Sequence, residues 1–432
     1  MIGQPSGREA LRFCMVTTFY PPHSFGGDGT YVRGLSHELA RRGHLVDVVH
    51  CVDSYRPAGR ARPADATGHP NITVHSLRHP LGVLSPLLTH QLGVPVLQAR
   101  RLRAILGRPY DVIHFHNISL VGGPSVLRYG GAIKLYTLHD YWLVCPTHAL
   151  YRFNREPCAK ASLCLLCTLS YRRPPQWWRY TRLMNRSIRY VDAFIAPSLT
   201  SQRKHEQLGL PGRIVHLPNF VRMPGEEEGI ERAVRQVPGK APYFLFVGRL
   251  EHLKGLHTLI PVFRRYDKAQ LWIAGAGSEE AALRRLSGPA ANIRFLGQQS
   301  ANALTDLYRG AVAVLYPSLN YQIGVSQPGS GLGAPLVIME AFSMRTPVIA
   351  SRAGSIPAIV EQTGGGLVYS SSDELAAALD RLVAHPAERD RLGMLGYEAY
   401  RRQWTADAHL SGYLSLIDEI ASGRPRGRAA AV

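Results

Sequence analysis

Residues 243–255 read YFLFVGRLEHLKG. Tyr243 to Val247 form a short, mostly apolar run, the pattern of a strand covered on both faces. Gly248 permits a tight turn after it. Arg249 and Lys254 then place two cations, five positions apart, just past the strand's carboxyl end. Ligands of open α/β sheets sit at that edge. A forked guanidinium beside a point-charge ammonium suits a diphosphate. Eighty-six residues beyond Lys254 stands a lone acid, Glu340, which opens the segment EAFSMRTPVIAS.

Strand-like runs of the same kind recur on both sides of this stretch. RFCMVTTF, LVDVVHC, DVIHFHN, IKLYTLH and AFIAPS precede it; QLWIAGAG, IRFLG, AVAVLYP, PVIAS and GGLVY follow. Helix-like segments alternate with them, one lying near Thr30 to Arg42. Alternation of this type predicts parallel sheets, and two series predict two doubly wound α/β domains. At 432 residues the chain also exceeds one ordinary core, so two domains of roughly 150–200 residues are expected. The expected boundaries are 11–216 and 217–403, joined at HLPNFV (216–221) and followed by an acidic loop, GEEEG. Residues 54–110 read as a loop-rich excursion of the first domain, and 422–432 as a disordered tail.

The net charge of +19 is uneven. Residues 1–215 carry 27 Lys and Arg against 11 Asp and Glu, and residues 216–432 carry 23 against 20. The basic half is expected to meet an acidic substrate or an anionic membrane surface. Nucleic acid is not an expected partner, because no nucleic-acid module signature occurs. The longest apolar candidate, GVLSPLLTHQLGVPVL, is interrupted by His90, Gln91 and two prolines, so no membrane span is predicted. The first residues, MIGQPSGREALRF, contain no apolar signal core. The expected location is cytoplasmic, peripheral on the inner membrane face.

Four further segments carry chemistry. In PPHSFGGDGT, Gly26, Gly27 and Gly29 lead from a strand into a helix, where backbone N–H groups and the helix end favour an anion; a plain turn is the alternative. In LYTLHDYW, His139 sits at a strand's carboxyl end, placed to bond a sugar hydroxyl or phosphate oxygen. In AGAGSEE, Gly275 and Gly277 either admit a base or ribose or serve a tight turn, with Ser278 as helix cap. Cys145, Cys158, Cys164 and Cys167 have the spacing C-x12-C-x5-C-x2-C. Structural zinc, free thiols, and an iron–sulfur or disulfide arrangement all fit that spacing. Finally, QWWRYTRLMNRSIRYV (176–191) reads as an amphipathic helix, with Trp177, Met184, Ile188 and Val191 on one face. Its other face, Arg179, Arg182, Arg186 and Arg189, docks on anionic lipid or a phosphorylated acceptor, or is simply solvated.

VGRLEHLKG, HDYW, the GGDG turn and PLVIMEAF with TPVIAS resemble the retaining glycosyltransferases of the GT-B fold, the glycosyltransferase family 4 group, over about residues 11–405. The resemblance implies two Rossmann-like domains facing across a cleft, with a last helix, 404–421, packing back on the first domain. It implies transfer of a sugar from a nucleoside-diphosphate sugar to a glycan or lipid-linked acceptor, without a catalytic metal. It further implies that Arg249 and Lys254 hold the diphosphate, that Glu340 binds the ribose, and that Leu336 and Val337 offer backbone amides to the phosphates. Gly26, Gly27, Gly248 and Gly275 would line the donor site, and His139 would lie beside the transferred sugar. The sequence departs from the group at the family's first Glu: one alignment puts Leu332 there, the other Gln322 ahead of a ten-residue insertion. Ala358 also replaces an acid common in the group. These departures leave a catalytically silent GT-B protein that binds nucleotide or glycan as the alternative, and a sugar-nucleotide epimerase as a lesser one.

Overall fold

The computed structural model describes residues 9–24, 27–55, 68–148, 150–153, 156–158, 163–222, 241–319, 336–352 and 356–423. The first domain is built on β1 (Arg12–Val16), β2 (Leu45–Cys51), β3 (Ile72–Leu77), β4 (Val112–Phe115) and β5 (Ile133–Thr137). A small antiparallel pair follows, β6 (Tyr151–Arg152) and β7 (Glu156–Pro157), then β8 (Ala193–Ala196) and β9 (Ile214–His216). Seven of these pair in the order β3-β2-β1-β4-β5-β8-β9, all parallel. The second domain has β10 (Tyr243–Val247), β11 (Gln270–Ala274), β12 (Ile293–Gly297), β13 (Val314–Tyr316), β14 (Val348–Ser351) and β15 (Gly366–Tyr369). Their order is β12-β11-β10-β13-β14-β15, again all parallel.

Central strands such as VIHF and AFIA are buried at every position, because helices cover both faces of each sheet. In each sheet the chain winds outward from its first strand and then returns to that strand's other side. The winding therefore reverses between β1 and β4, and again between β10 and β13. Such reversal points open a crevice at the carboxyl ends of the strands. They set the loops after β1 and β4 together in one domain, and the loops after β10 and β13 together in the other.

Two crossings join the domains. Residues 217–222 run outward, and helix Ala406–Gly423 returns, burying Leu410, Tyr413, Leu416 and Ile417 against Phe13 and Leu35 of the first domain. The crossings are tied to each other: Tyr400 Oη donates to the Val221 carbonyl at 3.0 Å, and the Val221 N–H to the Trp404 carbonyl at 3.2 Å. His114 Nδ1 meets Tyr413 Oη at 2.9 Å inside the first domain's core.

Three sequence expectations are corrected here. Residues 54–110 are not a loop excursion: the described part includes the edge strand β3 and helices Leu84–Leu92 and Ala99–Leu106. Residues 176–191 do not form one amphipathic helix. A 3-10 turn, Trp177–Tyr180, is followed by a separate short helix, Leu183–Ile188; Trp178 rather than Trp177 is buried. Arg179 is not on a solvent face; it donates to the Trp142 and Leu143 carbonyls and lies 4.4 Å from the Trp178 ring centre. Helix Glu280–Ser287 starts after Glu279, so Ser278 is not its cap. Residues 424–432, Gly26, Gln322 and Leu332 fall outside the described residues.

Candidate active site

The second domain contributes the loop after β10 and the helix after β13. Arg249 leaves the end of β10 half-buried, its Nη1 2.7 Å from Glu251 Oε1. Lys254 ends a single 3-10 turn, His252–Lys254. Gly255 then reverses the chain at φ +71° into helix Leu256–Phe263; a β-carbon there would collide with the Pro317 carbonyl oxygen. The diphosphate-type loop is thereby packed on the loop that leaves β13. Gly275 has a similar reason for being glycine: a β-carbon would strike the Gly248 carbonyl. Its close approach is to backbone.

Leu336 and Val337 are the first described residues of helix Leu336–Ser343 and stand one turn before Glu340. Glu340 is half-buried. Burial raises its pKa, while the Tyr308 hydroxyl, donating to Oε2 at 2.6 Å, opposes that shift. Tyr308 is fully buried on helix Ala301–Gly310, so it holds the carboxylate in one orientation. The periodicity of that helix marks Tyr308 as core and gives no hint of the contact.

The first domain contributes the loops after β1, β4 and β5. His139 is buried beyond the end of β5. Its Nε2 meets His116 Nδ1 at 3.0 Å, and its ring packs edge-on to Tyr31 at 5.4 Å. Burial lowers the His139 pKa to about 4, with Asp140 opposing, so the ring is neutral at pH 7. Asp140 is structural: Oδ1 accepts the Trp142 N–H at 2.8 Å and Oδ2 meets His148 Nδ1 at 2.7 Å. Burial alone would raise its carboxyl, but His148, the Trp142 N–H and His139 hold it below its ordinary value.

Sequence reading passed over two residues here. Asp28, next to Gly27, is 4% exposed; Oδ1 accepts the Gly29 N–H at 2.9 Å, and Oδ2 has no hydrogen-bond partner among the described residues. Burial raises its carboxyl to about 6, opposed by the Gly29 N–H and reinforced by Asp140. His116, in DVIHFHN, is fully buried with Nε2 equally unpartnered among the described residues. The signal for both was their place after β1 and β4, which becomes visible only once those strands are known to be neighbours.

The two halves meet. Gly27 opens helix Gly27–Arg41, and a β-carbon on it would lie 3.0 Å from Leu336 Cδ1 of the other domain. Two residues expected to line one donor site therefore face each other.

The four cysteines gather loosely beside the first-domain loops. Cys164 is raised first by burial and then by the charges of Cys145, Cys158 and Cys167. Among the described residues, however, no three His, Cys, Asp or Glu side chains are grouped so as to hold a metal ion.

Comparison with known proteins agrees with this architecture. The model of Glycosyltransferase Family 4 matches residues 25–223, and that of Glycosyl transferases group 1 matches 227–399. The lipopolysaccharide core biosynthesis glycosyltransferase LpsE of Rhizobium meliloti is 26% identical over 300 residues, 67% of this chain and 71% of that protein. The D-inositol 3-phosphate glycosyltransferase of Kribbella flavida is 27% identical over 435 residues, 92% of each chain. Sucrose-phosphate synthase from Thermosynechococcus elongatus superposes with a TM-score of 0.67 at 20% identity, over 96% of this chain and 100% of that one. With both halves matched in order on two Rossmann-like sheets, the chain belongs to the GT-B glycosyltransferases of the group 1 and family 4 type, enzymes that use nucleotide-sugar donors.

Proposed function

We propose that this enzyme transfers a hexose from a nucleoside-diphosphate sugar to a glycan or lipid-linked acceptor with retention of anomeric configuration. The observation that carries the reading is the setting of Arg249, Lys254 and Glu340 around one reversal point, on the loop after β10 and the helix after β13. Arg249 and Lys254 bind the diphosphate and stabilise the charge that grows on it as the bond to the anomeric carbon breaks. A charge-assisted contact that strengthens in that transition state supplies about 1.5–3 kcal/mol. Glu340, oriented by Tyr308, receives the ribose hydroxyls. The Leu336 and Val337 amides face the phosphates, and Gly27 and Gly248 leave room for them.

The acceptor oxygen bonds to the anomeric carbon on the face the phosphate leaves, and its proton passes to the departing phosphate oxygen. That route needs no side-chain nucleophile. With two protein cations on the diphosphate we also read it as metal-independent. His139, neutral and tied through Nε2 to His116, has Nδ1 left for a hydroxyl of the transferred sugar. The name of the Rhizobium meliloti relative, a lipopolysaccharide core enzyme, supports a glycan or lipid-linked acceptor; work at an anionic membrane surface belongs to the same proposal and is supported by the excess of Lys and Arg in residues 1–215. For Cys145, Cys158, Cys164 and Cys167, structural zinc remains a proposal, carried by the thiolate chemistry of the set; metal content of the purified protein tests it.

Calorimetry with UDP, GDP and ADP, followed by NMR of the product linkage formed from the matching sugar nucleotide, tests the main reading. Nucleotide binding and an axial-to-axial or equatorial-to-equatorial outcome are expected. Inversion would overturn retention; binding without turnover would favour the silent alternative.

A further inference from the structure

Two helices of the first domain are turned inside out. Helix Leu84–Leu92 buries Ser85, Pro86 and Thr89 and exposes Leu84, Leu87 and Leu92. Helix Cys164–Ser170 buries Cys167 and Thr168 and exposes Leu166 and Leu169, each at least half accessible, next to exposed Leu163. In both, the buried threonine satisfies its hydroxyl on a carbonyl one turn back, Thr89 on Ser85 at 3.0 Å and Thr168 on Cys164 at 2.7 Å. A water-facing helix puts its leucines inward. Leucines outward on two helices of one domain mark a surface that something apolar covers.

The two helices are coupled through one turn. Trp178 Nε1 donates to the His90 carbonyl at 2.9 Å, and its ring fills the space beside Gly93. Just before it, the Arg173 N–H donates to the Thr168 carbonyl at 3.2 Å and Gln176 Nε2 lies 3.0 Å from His90 Nε2, so the stretch 173–178 joins the second helix to the first. The turn also exposes Trp177 and Tyr180, aromatic residues suited to a bilayer interface. Arg179 in turn grips the Trp142 and Leu143 carbonyls, so this surface hangs directly on the loop that carries His139 and Asp140.

Charge selects the occupant. Residues 66–110 contain five Arg and no Asp or Glu; residues 157–191 contain six Arg, one Lys and no Asp or Glu. Exposed Arg78, Arg100, Arg172, Arg182, Arg186 and Arg189 belong to these stretches. A second copy of the same basic face would repel itself, whereas a surface of anionic headgroups over acyl chains meets both the arginines and the leucines.

We propose that these two inside-out helices and the Trp177–Tyr180 turn are the face by which the enzyme rests on an anionic bilayer, presenting the first-domain loops to a membrane-borne acceptor. The docking face stands on its own geometry; only the presentation of an acceptor rests on the transferase reading above. The test is co-sedimentation with vesicles of phosphatidylcholine containing about one-third phosphatidylglycerol. Wild type should bind them, more weakly in high salt and little without the anionic lipid. The doubly substituted Leu87→Gln, Leu166→Gln protein, altered only at exposed positions, should melt as wild type and bind at least about tenfold more weakly. Absence of wild-type binding, or equal binding by the variant, would overturn the proposal. So would a concentration-dependent dimer in light scattering that the variant loses, since a second copy would then cover the face. UDP calorimetry on both proteins separates the two readings: equal nucleotide affinity with lost vesicle binding supports the docking face, and failure of wild type to bind nucleotide defeats the transferase reading while leaving vesicle binding as the measure of this one.

Discussion

Gly27 and Leu336 touch across the two domains: a β-carbon on Gly27 would stand 3.0 Å from Leu336 Cδ1. One residue opens the first helix of the first domain and the other opens the helix that carries Glu340. The contact therefore measures how closely the two halves of the site approach. Gly27→Ala asks only the end of a flexible leucine to move, and should retain most activity. Gly27→Val should hold the halves apart and lower kcat/KM for the donor at least about tenfold, with little change in melting temperature. Leu336→Ala in the same chain should restore part of the loss. Coupling in that double-mutant cycle is expected at about 0.5–3 kcal/mol; an additive pair would show that the contact does not set the spacing.

Arg249 and Lys254 are expected to be individually indispensable. Arg249→Ala or Lys254→Ala should cut kcat/KM by about ten- to a hundredfold or more while the fold stays intact by circular dichroism. Arg249→Lys should not recover the Arg value, because an ammonium cannot reproduce the forked, two-point contact. Glu251→Gln, which removes a half-exposed partner of Arg249 at 2.7 Å, should change activity by much less. Steady-state kinetics on the four proteins decides. Wild-type rates in either alanine variant would remove the diphosphate role.

Asp28 predicts a stability that depends on pH in a definite direction. Its folded pKa, about 6, lies above the ordinary 3.8 of an aspartate. The folded state therefore holds the proton more tightly. The contribution is fully present below the ordinary value and is lost as pH rises through about 6. The span from 3.8 to about 6 corresponds to roughly 3 kcal/mol at most. Asp28→Asn cannot ionise, so its stability relative to wild type should improve by about 2–3 kcal/mol between pH 4 and pH 7. Urea unfolding of both proteins at the two pH values measures this. A difference independent of pH would mean that Asp28 is solvated.

Much of the fold could be read in the sequence because its central strands are apolar on both faces, as VIHF and AFIA are. The edge strand β3 was missed for the opposite reason: ITVHSL is half polar and largely uncovered. Helix Leu84–Leu92 was missed because its leucines face outward, so the periodicity that marks a core-facing helix points the wrong way. The stretch 176–191 misled because the indole that anchors the turn is Trp178, one position from where a continuous helix would need it. In the site, Arg249, Lys254 and Glu340 stood out as charges beside strand-like runs. Asp28 and His116 did not, since β1 and β4 are neighbours only in the folded sheet. Tyr308 reaches Glu340 across 32 residues, a pairing no local pattern encodes.

Acid should unfold the first domain through its buried histidines. His114, His116, His139 and His409 are all buried, and burial is the first cause that lowers each. Their hydrogen bonds need neutral rings: His409 accepts from Tyr31 Oη at 2.9 Å on one nitrogen and donates to the Pro218 carbonyl at 2.7 Å from the other. Folded values below the ordinary 6.5 mean that the unfolded chain binds protons first as pH falls. The stabilisation is complete above 6.5 and is lost on descent towards about 4, the value to which burial lowers His139 and His409. At pH 5 His139 and His409 would each forfeit about 2 kcal/mol, from 1.36 kcal/mol per pH unit. Two such losses are already a large part of the roughly 5–15 kcal/mol that holds a whole domain. Because His409 ties helix Ala406–Gly423 and the 217–222 crossing to Tyr31, the crossing should loosen early. The expected result is a urea midpoint that falls steeply between pH 6.5 and pH 5, with His409→Gln showing a shallower fall than wild type. An unchanged midpoint over that range would show that these histidines are charged in the folded protein.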